Sequence, residues 1–268
     1  MKTSNHKDID RIFNVNIRGN GTRPMLFAHG YGCDQNMFRF IYPYFEKDYK
    51  IILFDYIGSG KSDLSEYSNE KYNSLDNYAD DIITICNHLK LKDIIFVGHS
   101  VSAMIGVLAF NKSPQLFSKM IMIGPSPRYI NDIDYNGGFE ESSIMELLET
   151  LDSNYLGWSK SMAPVIMGNS DKPHLGEELS NSFCSTDPEI AKNFARVTFL
   201  SDNRQDIKKV TVPCLILQCK NDVIAPVEVG EYTSKSIKNS TLKILNATGH
   251  CPNLSAPEET AEAIEQFL

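Results

Sequence analysis

Long apolar runs are what this sequence of 268 residues most plainly lacks. No stretch approaches the ~18 consecutive apolar residues of a membrane-spanning helix, so no such span is expected. Positive charge is scarce as well: 26 Lys and Arg against 34 Asp and Glu leave a formal net charge of -8. A nucleic acid or an anionic membrane would require a basic face, and neither is expected as a partner. The opening residues, Met1 to Asp8, hold no apolar stretch of the kind a secretory signal needs. The six cysteines (Cys33, Cys86, Cys184, Cys214, Cys219 and Cys251) show no paired metal-ligand spacing. Without an export signal they are expected as reduced thiols, several in the core, of a cytoplasmic protein. Internal repeats and low-complexity tracts are also absent.

Two cofactor motifs fail on inspection. Gly58-Ser59-Gly60-Lys61-Ser62 is similar to the end of a phosphate-binding loop, but Asp55 occupies the position of the first glycine, and Asp63 and Glu66 follow. Gly30-Tyr31-Gly32 does not extend to a dinucleotide fingerprint, because Gln35 stands where the third glycine belongs. No cofactor and no metal are indicated.

What is present is a regular alternation. Short apolar runs begin at Met25, Ile51, Ile94, Met120, Cys214 and Leu242. Near-continuous apolarity over four or five residues is what strands buried on both faces show. Amphipathic stretches such as Leu75 to Leu89 and Ser102 to Phe110 lie between them, which predicts a parallel sheet covered on both sides. The Arg11 to Arg18 segment alternates and is expected to be an edge strand. The pattern breaks between about Pro127 and Asp206, where four helical stretches are expected: around Glu140 to Leu151, Tyr155 to Met167, Leu175 to Phe183 and Pro188 to Leu200. The expected organisation is therefore a core of residues 1–126 and 206–268 with a helical cap, 127–205, inserted between its halves.

Phe96-Val97-Gly98-His99-Ser100-Val101-Ser102 carries the central chemical signal. A buried strand ends, a small residue permits a sharp turn, and a helix begins just after a serine. That geometry lifts a nucleophilic hydroxyl above a sheet, and it needs small neighbours. The usual pattern is G-x-S-x-G; here the last position is Ser102. The pentapeptide alone would occur by chance about 0.3 times in a chain of this composition, so the partners decide.

A serine hydroxyl needs a base to take its proton, and the base needs an acid to fix its tautomer. In strand–turn–helix nucleophile folds the chain order is Ser, then Asp or Glu, then His. Asp222 follows the Cys214 run, and His250 follows the Leu242 run. Both lie past the carboxyl ends of expected strands, on the edge where parallel sheets place their sites. Asn221 and Asp202 are the alternatives to Asp222. The other histidines take plainer roles: His6 in a tail, His88 on an amphipathic helix, His174 in the cap. His99 is expected to pack with its side chain turned from Ser100, and His29 to make a structural hydrogen bond. Two backbone N–H groups usually hold the developing oxyanion. The candidates are those of Val101 and of Tyr31 in the His29-Gly30-Tyr31-Gly32 loop, although that tetrapeptide alone could be an ordinary glycine turn.

Longer stretches carry a more specific resemblance. They are Gly30-Tyr31-Gly32-Cys33-Asp34-Gln35, Leu53-Phe54-Asp55-Tyr56-Ile57-Gly58-Ser59-Gly60 and Val97-Gly98-His99-Ser100-Val101-Ser102-Ala103-Met104-Ile105-Gly106. Gly124-Pro125-Ser126-Pro127, Phe183-Cys184-Ser185-Thr186-Asp187-Pro188 and Gly249-His250-Cys251-Pro252 complete the set. Through them the chain resembles the RsbQ family of bacterial α/β hydrolases, whose relatives are the plant karrikin and strigolactone receptors. Ser102 matches the plant branch; bacterial members often have glycine there. The resemblance implies the α/β-hydrolase fold, with a mostly parallel central sheet, helices on both faces and an inserted four-helix cap over an apolar pocket. It also implies a positive regulator of the general stress sigma factor, working with an RsbP-like PAS-domain phosphatase. Among the cap-region residues, Phe139, Trp158, Met162, Phe194 and Phe199 are candidate pocket walls, with the Tyr31 and Val101 side chains at the floor. The expected activity is that of a serine hydrolase on a small hydrophobic ester or lactone. The alternatives are a binding module in which turnover is irrelevant and a cofactor-free haloperoxidase-like enzyme.

Overall fold

The computed structural model describes residues 8–268; His6, read above as part of a tail, lies outside the described residues. The chain enters through a short helix α1 (Ile9–Ile12) and then lays down strands β1 (Asn16–Arg18), β2 (Arg23–Ala28) and β3 (Tyr49–Leu53). Helix α2 (Leu75–His88), strand β4 (Ile94–His99), helix α3 (Val101–Lys112) and strand β5 (Phe117–Ile123) follow. After the inserted segment come β6 (Cys214–Asn221), α7 (Val227–Ser236), β7 (Ser240–Thr248), α8 (Pro252–Ser255) and α9 (Pro257–Phe267). Among the described residues the strands form one sheet of seven, in the order β1-β3-β2-β4-β5-β6-β7. Only β1 runs antiparallel to its neighbour.

Each apolar run became a strand because both sheet faces are covered. All six residues of β4 are buried. Alternate residues feed two cores: Met25 and Phe27 of β2 face one, Leu26 and Ala28 the other. The first core takes in the inserted helices through Leu148, Trp158, Phe183 and Phe199; the second takes in α2 and α3.

The expected edge strand over Arg11 to Arg18 is corrected. Only Asn16–Arg18 pairs, with Asn16 opposite Leu53 and Arg18 opposite Ile51. Upstream, the Asp8 carboxylate accepts from the Arg11 amide and caps a helical turn. Asn14 then turns at φ 45°, which sends Ile12 and Phe13 into the core. An N-terminal Asp cap outcompetes extension there.

The segment between β5 and β6 is helical, as its pattern predicts: α4 (Glu141–Met167), α5 (Pro173–Ser185) and α6 (Pro188–Phe199). Helix α4 breaks at Asn154 (φ -153°, ψ 68°), so four helical segments result. The Asn154 side chain accepts from the Gly157 amide at 3.0 Å and so caps the second half. The two ends of the insertion are clamped together. Arg128 pairs with Asp202 at 3.0 Å, and Arg204 with both Asp202 (2.7 Å) and Asp132 (2.9 Å). Five of the six cysteines are buried and all six are free. No described helix is long and apolar enough to cross a membrane.

Candidate active site

The chain runs from β2 to β3 on one side, then crosses to β4 on the other side of β2. A crevice opens where the order reverses, at the carboxyl ends of β2 and β4. Ser100 sits there between β4 and α3 at φ 56° and ψ -124°, a conformation that L-residues adopt only at a cost. Its amide donates to the Ile123 carbonyl at 2.8 Å, and its carbonyl accepts from Ala103 at 2.9 Å. A side chain at Gly98 would stand 2.7 Å from the Phe96 ring and the Ser102 carbonyl oxygen, so the turn excludes one. Ser102 is more than a small substitute for glycine. Its hydroxyl donates to the His29 carbonyl and lies 3.0 Å from the Tyr56 hydroxyl, tying the elbow to the end of β2.

The structure brings Ser100, His250 and Asp222 together. The Nε2 of His250 is 2.7 Å from the Ser100 Oγ, and its Nδ1 is 2.7 Å from the Asp222 Oδ2. All three are buried. A carboxylate only accepts, so Nδ1 carries the proton and Nε2 is free to accept from the serine. The other oxygen of Asp222 accepts from the amides of Ile224 (2.8 Å) and Ala225 (3.1 Å). Neither alternative carboxyl-type partner is here: the Asn221 side chain points to Thr248, and Asp202 belongs to the ion-pair clamp. The histidine loop is itself tied to the insertion. The His250 amide donates to the Ile166 carbonyl at 2.9 Å. Gly249, at φ 85°, passes so close to the Met167 carbonyl that a Cβ there would lie 1.8 Å from its oxygen.

His99 corrects the expectation made for it. Its Nε2–H donates to the His250 carbonyl at 2.8 Å, and the two rings lie 5.2 Å apart. Burial, with His250 beside it, pushes its imidazole down to about 3, so the ring is neutral. It therefore holds the histidine loop and lines the cavity. His29 takes a hydrogen bond from the Tyr56 amide at Nε2 (3.2 Å), which puts its proton on Nδ1, 2.9 Å from the Gly30 carbonyl. Burial lowers its pKa against the pull of Asp55. His88 lies 3.2 Å from Asp10 at the end of α2, and His174 is exposed on α5.

The Tyr31 and Val101 amides have no acceptor among the described residues. Val101 opens α3, where the first amides lack intrahelical partners and the helix dipole is positive. The Tyr31 loop is held from above by α5, whose Ser182 hydroxyl donates to the Gly32 carbonyl at 2.7 Å. Arg39 adds a two-pronged pair with Glu178 of the same helix, both contacts at 2.7 Å.

Over Ser100 lies a tight apolar cavity of about 40 Å3. Trp158 and Phe199 line it, as does Tyr31. Phe139, Met162 and Phe194 do not, and the Val101 side chain is not at its floor. Val101 packs into the second core, on the far side of the sheet edge. Phe194 stacks on Tyr78 at 4.5 Å and is separated from the cavity by Tyr31. Phe139 and Met162 are only partly buried against the first core. The walls that sequence reasoning missed include Tyr129, Leu179, Phe183 and Thr198. Leu175, Leu179 and Phe183 recur four residues apart on α5, a signal that could have found two of them. Tyr129, on the loop after β5, lines the cavity alongside Ser100, and burial pushes its phenol well up. Among the described residues no three His, Cys, Asp or Glu side chains converge as metal ligands.

Residues 23–257 match the family model described as the alpha/beta hydrolase fold. The chain is 38% identical over 258 residues to the strigolactone esterase RMS3 of Pisum sativum, covering 96% of both chains. It is 37% identical over 251 residues to the karrikin insensitive 2 receptor CA of Petunia hybrida, covering 93% of both. Among solved structures it is similar to the hydrolase olei00960 of Oleispira antarctica, at 42% identity and a TM-score of 0.94, with 97% of this chain and 96% of that one covered.

Proposed function

Because this chain belongs to the α/β-hydrolase family, we propose that it is a serine hydrolase that cleaves a small hydrophobic ester or lactone. Ser100 attacks the carbonyl carbon while its proton passes to His250 Nε2. Asp222 holds the tautomer and stabilises the imidazolium. The Tyr31 and Val101 amides hold the oxyanion. Collapse of the tetrahedral intermediate expels the alcohol, protonated by His250. Water, deprotonated by the same nitrogen, then frees the acid and restores Ser100. The tightness of the apolar cavity favours a compact acyl group.

The observation that carries this reading is the unbroken pair of 2.7 Å contacts from Asp222 through His250 to Ser100. Its test is a serine-directed covalent inhibitor followed by peptide mass analysis. Label on Ser100 supports the assignment; label on another residue, or none, removes it.

The resemblance in the motifs extends the proposal to a cellular role, as a cytoplasmic RsbQ-like positive regulator of stress sigma factor signalling with an RsbP-like PAS-domain phosphatase as partner. A second reading is favoured by a relative that is named as a receptor: a ligand-binding signalling module in which turnover is incidental. Signalling that survives Ser100→Ala selects the second reading, and signalling lost with it selects the first.

A further inference from the structure

Five threonines lie within described helices, and four of them do the same thing. Thr84, Thr150, Thr233 and Thr260 each donate to the carbonyl four residues back, all at 2.8 Å. This back-bonding satisfies a hydroxyl that would otherwise need water. Thr198 of α6 is the exception. It is 2% exposed, its hydroxyl has no hydrogen-bond partner, and the residue lines the cavity above Ser100. Leaving a buried hydroxyl unpaired is costly, and the helix offers it the Phe194 carbonyl, which it does not take.

Two other polar atoms of the cavity, the Tyr31 hydroxyl and the His99 Nδ1, also lack a hydrogen-bond partner. The Tyr31 hydroxyl lies against that of Tyr155, whose proton goes to the Phe183 carbonyl at 2.7 Å. The Nδ1 of His99 is closed over by Gly30, where even one added carbon would sit 2.6 Å away. Thr198 differs from both in having an intrahelical acceptor, the Phe194 carbonyl, that its hydroxyl leaves unused.

From this we infer that the Thr198 hydroxyl is a polar contact point for the ligand, donating to an oxygen of its non-reacting part. The inference rests on the ester or lactone reading above and narrows it. The substrate is an oxygenated ester or lactone with a second acceptor, an ether or carbonyl oxygen, away from the carbonyl that Ser100 attacks. A pure hydrocarbon acyl group would leave the hydroxyl unpaired, and sites of this kind discriminate against the partner that lacks the polar atom.

The probes are phenyl pentanoate and phenyl 3-methoxypropanoate, which differ by one methylene replaced with an ether oxygen. Binding is measured on the intact chain carrying Ser100→Ala, so that no turnover intrudes. Trp158 is the single tryptophan and lines the cavity, and its fluorescence reads occupancy. Without the further change, the ether is expected to bind about fivefold tighter relative to the pentanoate than it does with Thr198→Val added, the scale of one neutral hydrogen bond. Thr198→Ser should keep the preference. The apo protein carrying Thr198→Val should melt no lower than the parent, because an unpaired hydroxyl is lost. An equal ratio in the two backgrounds, no saturable binding of either ester, or a lowered melting point for Thr198→Val overturns the inference. Failure of the hydrolase reading is separate: it is read from Ser100 labelling and from turnover of either ester by the unaltered chain.

Discussion

The rim of the sheet and the roof above it are built in opposite ways. At the rim every group assigned to the proposed reaction is fixed by directional bonds. Asp222 accepts two amides and one imidazole, His250 is gripped at its amide, its carbonyl and both ring nitrogens, and Ser100 is locked in a strained turn. Over the cavity the roof closes mainly through aromatic contacts, Trp158 on Phe183 at 5.8 Å and Tyr129 on Phe199 at 5.0 Å, with the Thr198 hydroxyl unpaired. Directional bonds fix geometry to tenths of an ångström, which proton transfer needs. Apolar packing tolerates changes of shape at conserved volume. Substitutions at the rim should therefore abolish rate, and substitutions in the roof should redistribute affinity.

The largest effect expected is that of Ser100→Ala, a loss of about 10⁶ in kcat when the nucleophile is removed from an intact triad. Ester turnover within a factor of ten of the parent would break the comparison at its root. Asp222→Asn comes next, at about 10⁴, because an amide presents the imidazole with the wrong tautomer. Steady-state kinetics distinguishes it from mere damage, since KM should barely move while kcat falls. A near-normal kcat would take Asp222 out of its role.

A third prediction sets His99 at the rim against Asp81 in the tyrosine-rich core behind it. His99 is held near 3, below its ordinary 6.5. Between those values the unfolded chain binds the extra proton, so this contribution to stability is complete above 6.5 and is lost as pH falls. Asp81 accepts from the Tyr72 hydroxyl at 2.9 Å, and burial raises its carboxyl to about 7 although Lys71 opposes. Its sign is reversed: the folded chain binds the extra proton between 3.8 and about 7, so the contribution is complete at acid pH and lost as pH rises. The two slopes offset in the parent. Asp81→Asn should raise the melting temperature at pH 8 by about 2–4 °C and steepen the acid loss. His99→Gln should flatten the acid loss and, by loosening the grip on the His250 carbonyl, lower kcat about threefold to tenfold. Melting curves for both variants that run parallel to the parent between pH 4 and 8 would refute the assignment.

How much could be read in the sequence follows the same division. The elbow is legible because a strained strand-to-helix turn demands small residues at fixed offsets, and Gly98 and Ser102 supply them. His250 and Asp222 are legible because strand ends and chain order restrict the choice. What escaped was set by tertiary direction. His99 neighbours the nucleophile in sequence, yet its contact is with a carbonyl 151 residues away. Val101 follows Ser100, but the start of α3 turns its side chain into the opposite core. Phe194 and Thr198 share a helix, yet Tyr31 screens one from the cavity and not the other. No periodicity encodes which aromatic ring stands in front of which.

The smallest effect expected concerns the pair that fastens the roof to the rim. Arg39 and Glu178 meet through two 2.7 Å contacts, with about a third of each side chain exposed (33% and 40%). Such a pair contributes on the order of 0.5 kcal/mol to stability, and salt screens it. Arg39→Lys keeps the charge and forfeits the fork, so its melting temperature should stay within about 2 °C of the parent. The informative readout is KM for esters of increasing bulk. Helix α5 carries Leu179 and Phe183 on the cavity wall and Ser182 on the Tyr31 loop. Loosening it at Glu178 should admit larger acyl groups, lowering KM for them about twofold to threefold while kcat for the smallest ester is unchanged. A fall in kcat for every ester, with no change in KM, would mean that the roof positions the oxyanion loop more than it selects the substrate, and the division between rim and roof would have to be redrawn at α5.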